Sequence, residues 1–221
     1  MPNLKFLKIV LPTLAAIAIL ALTSGTAKAD IVVVNGVNNQ GTDNVNLIPA
    51  TNQLVVQGTI GSGGPLVDFT SSSGSFLLNA DPSGQATVSG GTGNSPFTQL
   101  SFDLNAGGTF TRAVFNINAG TDGAVTIHIE GVNIDGGFFE DDFTVDANGQ
   151  NFFTITAING QSMTSISLTG INGATFQDVR QVRIGQGEFT PEQVPEPASM
   201  LLLGSGLVGL AAGVRRRIRR G

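Results

Sequence analysis

The chain has 221 residues, 41% of them apolar and only 12% charged, with a formal net charge of −5. That charged share is about half the usual ~25%, while the apolar share is too high for a disordered chain. Cysteine, tryptophan and tyrosine are absent and histidine occurs once, which excludes disulfide scaffolds, thiolate zinc or iron–sulfur sites, cysteine catalysis and multi-histidine metal centres.

The length fits one domain with appendages. Residues 1–29 read as a secretory signal peptide: Lys5 and Lys8 precede an apolar run from Ile9 to Leu22, and Ala27-Lys28-Ala29 forms an A-x-A cleavage site. The small side chains of Ala27 and Ala29 fit a signal peptidase, and cleavage would leave Asp30 as the new N-terminus. The apolar run is shorter than the ~18 residues expected of a spanning helix.

Residues 30–190 are expected to form one ectodomain, all-β, with an antiparallel β-sandwich or jelly-roll-like architecture. Its first part, 30–96, is rich in Gly and Ser at 61–64, 71–75 and 89–95. These stretches read as linkers or long loops, with short strands such as Ile31–Val34 and Phe76–Leu78 between them. Alternating apolar and polar residues predict strands at Gln53–Ile60, Phe97–Leu104, Thr109–Asn118, Ala124–Glu130, Phe138–Val145, Asn151–Ile158 and Thr164–Leu168. Turns are predicted where Asn, Asp and Gly cluster, at 105–108, 118–120, 135–137, 146–149 and 158–160. Thirteen of the fourteen Phe fall in this region and are expected to build its core. The adjacent pairs Phe138-Phe139 and Phe152-Phe153 imply cover on both faces of their strands, or else one exposed apolar patch; burial is the reading favoured.

Residues 191–197 form a linker that ends in Pro195-Glu196-Pro197. Residues 198–214 are 17 uncharged, mostly apolar residues, at the short end of the range for a transmembrane helix. Within them Gly209 and Gly213 make a G-x-x-x-G of the kind that lets helices approach closely. The basic tail 215–221 carries Arg215, Arg216, Arg217, Arg219 and Arg220. Such a cluster is a stop-transfer signal that stays in the cytoplasm. The expected layout is therefore a domain outside the membrane and a tail inside.

Pro-Glu-Pro, an apolar helix and an Arg cluster, in that order at the C-terminus, resemble the PEP-CTERM sorting domain of Gram-negative, exopolysaccharide-producing bacteria. The resemblance implies an exosortase substrate, with Pro195, Glu196 and Pro197 read by that membrane-embedded, transpeptidase-like partner. It implies inner-membrane anchoring through the C-terminal helix, then release to the cell surface or extracellular matrix. Residues 143–185 also resemble ectodomains that accompany this tail, which adds weight to a sandwich and no chemistry.

Charge divides the chain the same way. Residues 30–194 hold fifteen Asp and Glu against Arg112, Arg180 and Arg183, a net −12 without a single Lys. Such a surface repels nucleic acid, so none is expected as a partner. Extracellular polysaccharide and the membrane are the expected contacts.

Catalysis finds little support. There is no G-x-S-x-G, and His128-Ile129-Glu130 lacks the P-C-x-x-C that a zinc deaminase needs. Glu130, Glu140, Asp141 and Asp142 are nominal glycosidase carboxylates, better explained as solvated edge or loop residues. Asp146-Ala147-Asn148-Gly149 is a fragment of an EF-hand-like loop without its distal Glu. No cofactor or metal ligand is assigned, and a structural Ca²⁺ is carried only as a minor alternative. Glycan binding would have to use Phe faces and Asp or Asn hydrogen bonds, because Trp and Tyr platforms are missing. The expected role is a non-enzymatic envelope protein, structural or adhesive in an exopolysaccharide matrix. The alternatives are a weak carbohydrate- or Ca-dependent binding module or a carbohydrate-active hydrolase.

Overall fold

The computed structural model describes residues 31–71, 76–84, 86–134, 137–147 and 149–186. The expected signal peptide, Pro-Glu-Pro linker, membrane helix and Arg tail lie outside the described residues. Among the described residues, no helix is long and apolar enough to cross a membrane.

The strands, in chain order, are β1 (Ile31–Asn35), β2 (Asp43–Leu47), β3 (Ala50–Gln53), β4 (Val55–Ile60), β5 (Leu66–Thr70), β6 (Leu78–Asp81) and β7 (Thr87–Gly90). After a 3-10 turn at Thr92–Asn94 come β8 (Gln99–Leu104), β9 (Arg112–Thr121), β10 (Gly123–Val132), β11 (Phe138–Val145), β12 (Asn151–Ala157), β13 (Ser162–Ile171) and β14 (Thr175–Gly185). All paired strands are antiparallel. The fold is therefore all-β, as expected.

Two sheets face each other. The front sheet runs β1-β12-β9-β14, and β7, β6 and β3 continue it from β14. The back sheet runs β2-β4-β5-β8-β13-β10-β11. Strand β2 joins them, pairing β14 at Asp43 and Asn44 and β4 from Val45 onward. The junction works because β14 changes register at Arg180–Arg183. There Gln181 takes a left-handed φ of 56°, and the extra residue moves the strand's outer edge from β7 to β2.

Period-two alternation decides what lies between the sheets. From the front come Ala80, Val88, Val179, Ile117 and Phe153; from the back come Phe69, Phe102, Ile166 and Ile129, all buried. Ring contacts tie the layers together. Phe69 meets Phe102 at 5.7 Å, Phe102 crosses to Phe115 at 5.6 Å, and Phe115 meets Phe153 at 5.8 Å. Phe153 then crosses back to Phe143 at 5.6 Å. This chain of tilted and edge-on rings, the geometry aromatic quadrupoles favour, is the spine of the core.

Several expectations need correction. The turn expected at Asn118-Ala119-Gly120 lies inside β9, where Ala119 is buried and Asn118 faces outward to Asp178. Strand pairing overrode the local turn preference there. Residues 30–96 contain seven strands rather than mainly loops, and 61–64 is a tight turn between β4 and β5. Phe138 is 52% exposed on the back sheet, not buried. The turn expected at 158–160 does form, with φ of 57° at Asn159 and 77° at Gly160, and a second Asn-Gly turn at 172–173 has 54° and 86°. Left-handed values at both positions suit Asn and Gly.

Candidate functional site

The outer faces of the two sheets differ in chemistry. All three Arg of the described residues sit on front-sheet strands, Arg112 on β9 and Arg180 and Arg183 on β14. The outward face of the back sheet is acidic. Its register places Asp68 beside Asp103, and Glu130, Glu140 and Asp142 follow on β10 and β11.

On the front sheet the register assembles a polar grid. One row crosses the strands as Asn79, Ser89, Asp178 and Asn118. The next runs Asp81, Thr87, Arg180, Asn116 and Phe152. Over β3, β6, β7 and β14 this grid floors a groove of about 720 Å³, rimmed by Pro49, Pro82 and Pro96. The floor is internally tied. Asp178 accepts from Arg180 Nε at 2.6 Å through Oδ1 and from Asn118 Nδ2 at 2.7 Å through Oδ2. Asn79 donates to Gly91 O at 2.7 Å and accepts from Asn52 N at 2.9 Å. Ser83 donates its hydroxyl and its N–H to Asp81, and these bonds hold that carboxyl below its usual range. The groove is thus a rigid set of amides, hydroxyls and two carboxylates, with proline rings at its rim.

A second depression of about 510 Å³ lies further along the same face, lined by Val37, Val114, Phe152, Val182 and Arg183 among others. The segment after β1 folds over this region. Gly36 N donates to Phe152 O at 2.8 Å, Asn38 N donates to Thr154 Oγ1 at 3.0 Å, and Arg112 Nη1 donates to Gln40 O at 3.1 Å. Phe152 is therefore half covered on the front face while Phe153 is fully buried on the other.

The acidic residues named from sequence scatter by register. His128 and Glu140 are paired across β10 and β11, with Nδ1 2.9 Å from Oε2. Glu130 stands 3.9 Å from the other ring nitrogen, and Phe138 stacks on the ring at 5.1 Å. Asp141 belongs to the opposite, inward register beside Ile127, at an exposed edge. Glu140 and Asp142 therefore share a face that Asp141 does not. Asp146 carries no EF-hand geometry: its N–H donates to Asn151 Oδ1 at 2.9 Å and its C=O accepts from Asn151 Nδ2 at 3.0 Å. Asn148 lies outside the described residues. Among the described residues, no three acidic or histidine side chains converge as metal ligands would. The sorting residues Pro195, Glu196 and Pro197, the cleavage residues Ala27 and Ala29, and Arg215, Arg216, Arg217, Arg219 and Arg220 also lie outside them.

Sequence reasoning missed the groove. Its residues come from four strands and the turns beside them, running from Pro49 to Asp178, and each alone reads as a turn or surface residue. Only the pairing register brings them together.

Residues 193–217 match the PEP-CTERM protein-sorting motif. The chain carries this motif, which implies export, exosortase processing and sorting to the cell surface. No curated protein matches the chain. Among solved structures, a family 29 carbohydrate-binding module is 14% identical with a TM-score of 0.32, over 77% of this chain and 99% of the module. A family 29 module from Piromyces equi is also 14% identical, with a TM-score of 0.30 over 72% of this chain and 91% of the module. A variant module complexed with cellulohexaose is 13% identical with a TM-score of 0.32, over 73% and 95%. At these scores neither ligand nor binding residues carry over.

Proposed function

We propose that this is a non-catalytic surface-display domain, exported through its signal peptide and sorted through Pro195, Glu196 and Pro197. In this reading 198–214 spans the inner membrane and the Arg cluster fixes its orientation until an exosortase releases the domain. The observation that carries it is the sorting motif at 193–217, attached to one all-β body with no lysine in residues 30–194.

Outside the cell, the front-sheet groove contacts matrix polysaccharide, weakly and through hydrogen bonds. Three features support this. The floor offers amide and hydroxyl groups at strand spacing, which suits the hydroxyls of an extended glycan. The rim prolines offer C–H surface in place of the missing Trp and Tyr. The front sheet also carries all the described Arg, so an acidic polymer meets less repulsion there than on the back sheet. Hydrolysis has less support. A general acid needs a raised pKa, whereas Asp81 is held low and Asp178 has both oxygens committed to Arg180 and Asn118.

The sorting half is tested in the host by replacing Pro195 and Pro197 with Ala. The variant is expected to remain in the inner-membrane fraction at unprocessed mass, while the parent becomes accessible to surface labelling. Equal surface labelling and equal processing of the two would overturn this part of the account.

A further inference from the structure

The sandwich has three free strand edges among its described residues, β1, β3 and β11, and they are treated differently. Strand β11 is guarded: Glu140, Asp141 and Asp142 lie along it, and Asp141 occupies the inward register opposite Ile127. A charge in that register would be buried by any strand added alongside, which blocks sheet extension. Strand β3 is short and irregular, with a register shift between Ala50 and Gln53 and a left-handed Asn52. Strand β1 has no such defence. Among the described residues it pairs only with β12, and its sequence is Ile-Val-Val-Val-Asn. Residues 31–41 contain no charged side chain. Val32 and Val34 are 37% and 52% exposed on the outer face, while Ile31 is buried on the inner one.

We infer that β1 is a self-association edge, and that its partner strand is β1 of a second copy of this chain. Four observations favour that occupant. First, an open row of backbone N–H and C=O groups is satisfied by another extended strand, and a five-residue β-branched strand is well suited to that role. Second, residues 30–194 carry −12, so two copies repel over most of their surface. The uncharged strip 31–41 is where they approach at least cost. Third, the segment after β1 turns back over β12, through Gly36 N to Phe152 O and Asn38 N to Thr154 Oγ1. Among the described residues, it therefore leaves the outer edge of β1 open. Fourth, the chain's own C-terminal linker is a poor competitor. Gly185 ends β14 in the same row as Arg112, Thr156 and Val32, three strand spacings from β1, or about 14 Å. The segment that follows holds Pro191, Pro195 and Pro197 and three Glu. Proline cannot donate to a ladder.

The register is constrained. A two-fold axis normal to the sheet maps the inner face of one copy onto the inner face of the other. Paired residue numbers must then sum to an even value, so one residue of β1 faces its own counterpart. Opposed Cα atoms in an antiparallel pair lie about 4.5–5.5 Å apart, within disulfide range. A five-residue pairing buries little surface, so association is weak in dilute solution and strengthens when chains are crowded at a surface.

The natural absence of cysteine makes the test clean. The full chain, in mild detergent, is prepared as Val32→Cys, Val33→Cys and Val34→Cys, with Thr144→Cys on β11 as the control, and each is oxidised. One β1 position is expected to yield several-fold more disulfide-linked dimer than its neighbours and than the β11 control. Dimer yields that are level across all four positions would overturn the proposal. As an independent check, sedimentation velocity should show concentration-dependent dimers for the parent. Val32→Lys with Val34→Lys should remain monomeric at an unchanged melting temperature. A parent that stays monomeric at every concentration, with β1 amides protected from exchange, would mean that the chain's own tail covers the edge, and would also overturn it. None of these readouts depends on glycan contact.

Discussion

The clearest residue-scale conflict is on the back sheet, where Asp68 and Asp103 are direct cross-strand neighbours. Asp68 is well served, accepting from Gln57 Nε2 at 2.7 Å and Asn105 Nδ2 at 2.8 Å. Burial, and then the charge of Asp68, push the Asp103 carboxyl above its usual range. A folded-state pKa above the unfolded one means the native chain holds the proton more tightly. The contribution of Asp103 is therefore fully present in acid and is lost as pH rises through the raised value. Asp103→Asn should stabilise the domain near neutral pH by roughly 0.5 kcal/mol, the scale of a partly solvated charge pair. The gain should vanish below about pH 4, where Asp103 is protonated in the native and the unfolded chain alike. Urea unfolding of the two proteins across that range checks it, and a loss of stability at neutral pH would contradict the account. Neither the pairing nor the shift is legible in sequence, because positions 68 and 103 meet only through the register of β5 and β8.

At the scale of elements, two strands in the second half of the chain were the most legible. The pattern of Phe138–Val145 gives β11 to the residue, and Asn151–Ile158 gives β12 to within one. Those strands alternate cleanly or sit between strong turn residues. Strands β2, β3, β5, β7 and β14 are not among the predicted strands: Asp43–Leu47, Ala50–Gln53 and Thr87–Gly90 are short and polar, Leu66–Thr70 is a five-residue strand beside a Gly-rich stretch, and Thr175–Gly185 is interrupted by register shifts. Strand β9 shows the opposite failure. Its residues 112–117 are all buried, and the turn-forming residues Asn118-Ala119-Gly120 placed its end too early, where pairing with β14 carries the strand on to Thr121. The pair of Phe138 and Phe115 turns this into a measurement. Phe115 is fully buried and bridges Phe102 and Phe153, so Phe115→Ala should cost about 3–5 kcal/mol. At ~2–4 °C per kcal/mol, thermal melting should register that as a large drop. Phe138→Ala, at an exposed ring, should move it by a few degrees at most. Equal effects would show that the ring spine is not the core's main support.

At the scale of the molecule, the described sandwich is polarised: an arginine-bearing front sheet with a groove, an acidic back sheet with a guarded edge, and an undefended edge at β1. The sorting motif was legible because it is linear, three features in fixed order within 193–217. The groove was not, because it exists only after four strands pair. Co-sedimentation of the full chain with the host's own exopolysaccharide tests the central claim most directly, comparing the parent with Thr51→Glu plus Gln177→Glu and with Thr144→Glu. Thr51 and Gln177 are exposed and line the groove, so added charge there should block it without disturbing the fold. Thr144 is exposed on the back sheet. Saturable binding by the parent and by Thr144→Glu, with a several-fold loss in the groove variant at an unchanged melting temperature, is the predicted result. No binding by the parent, or equal binding by all three, would contradict a polysaccharide-contacting front face.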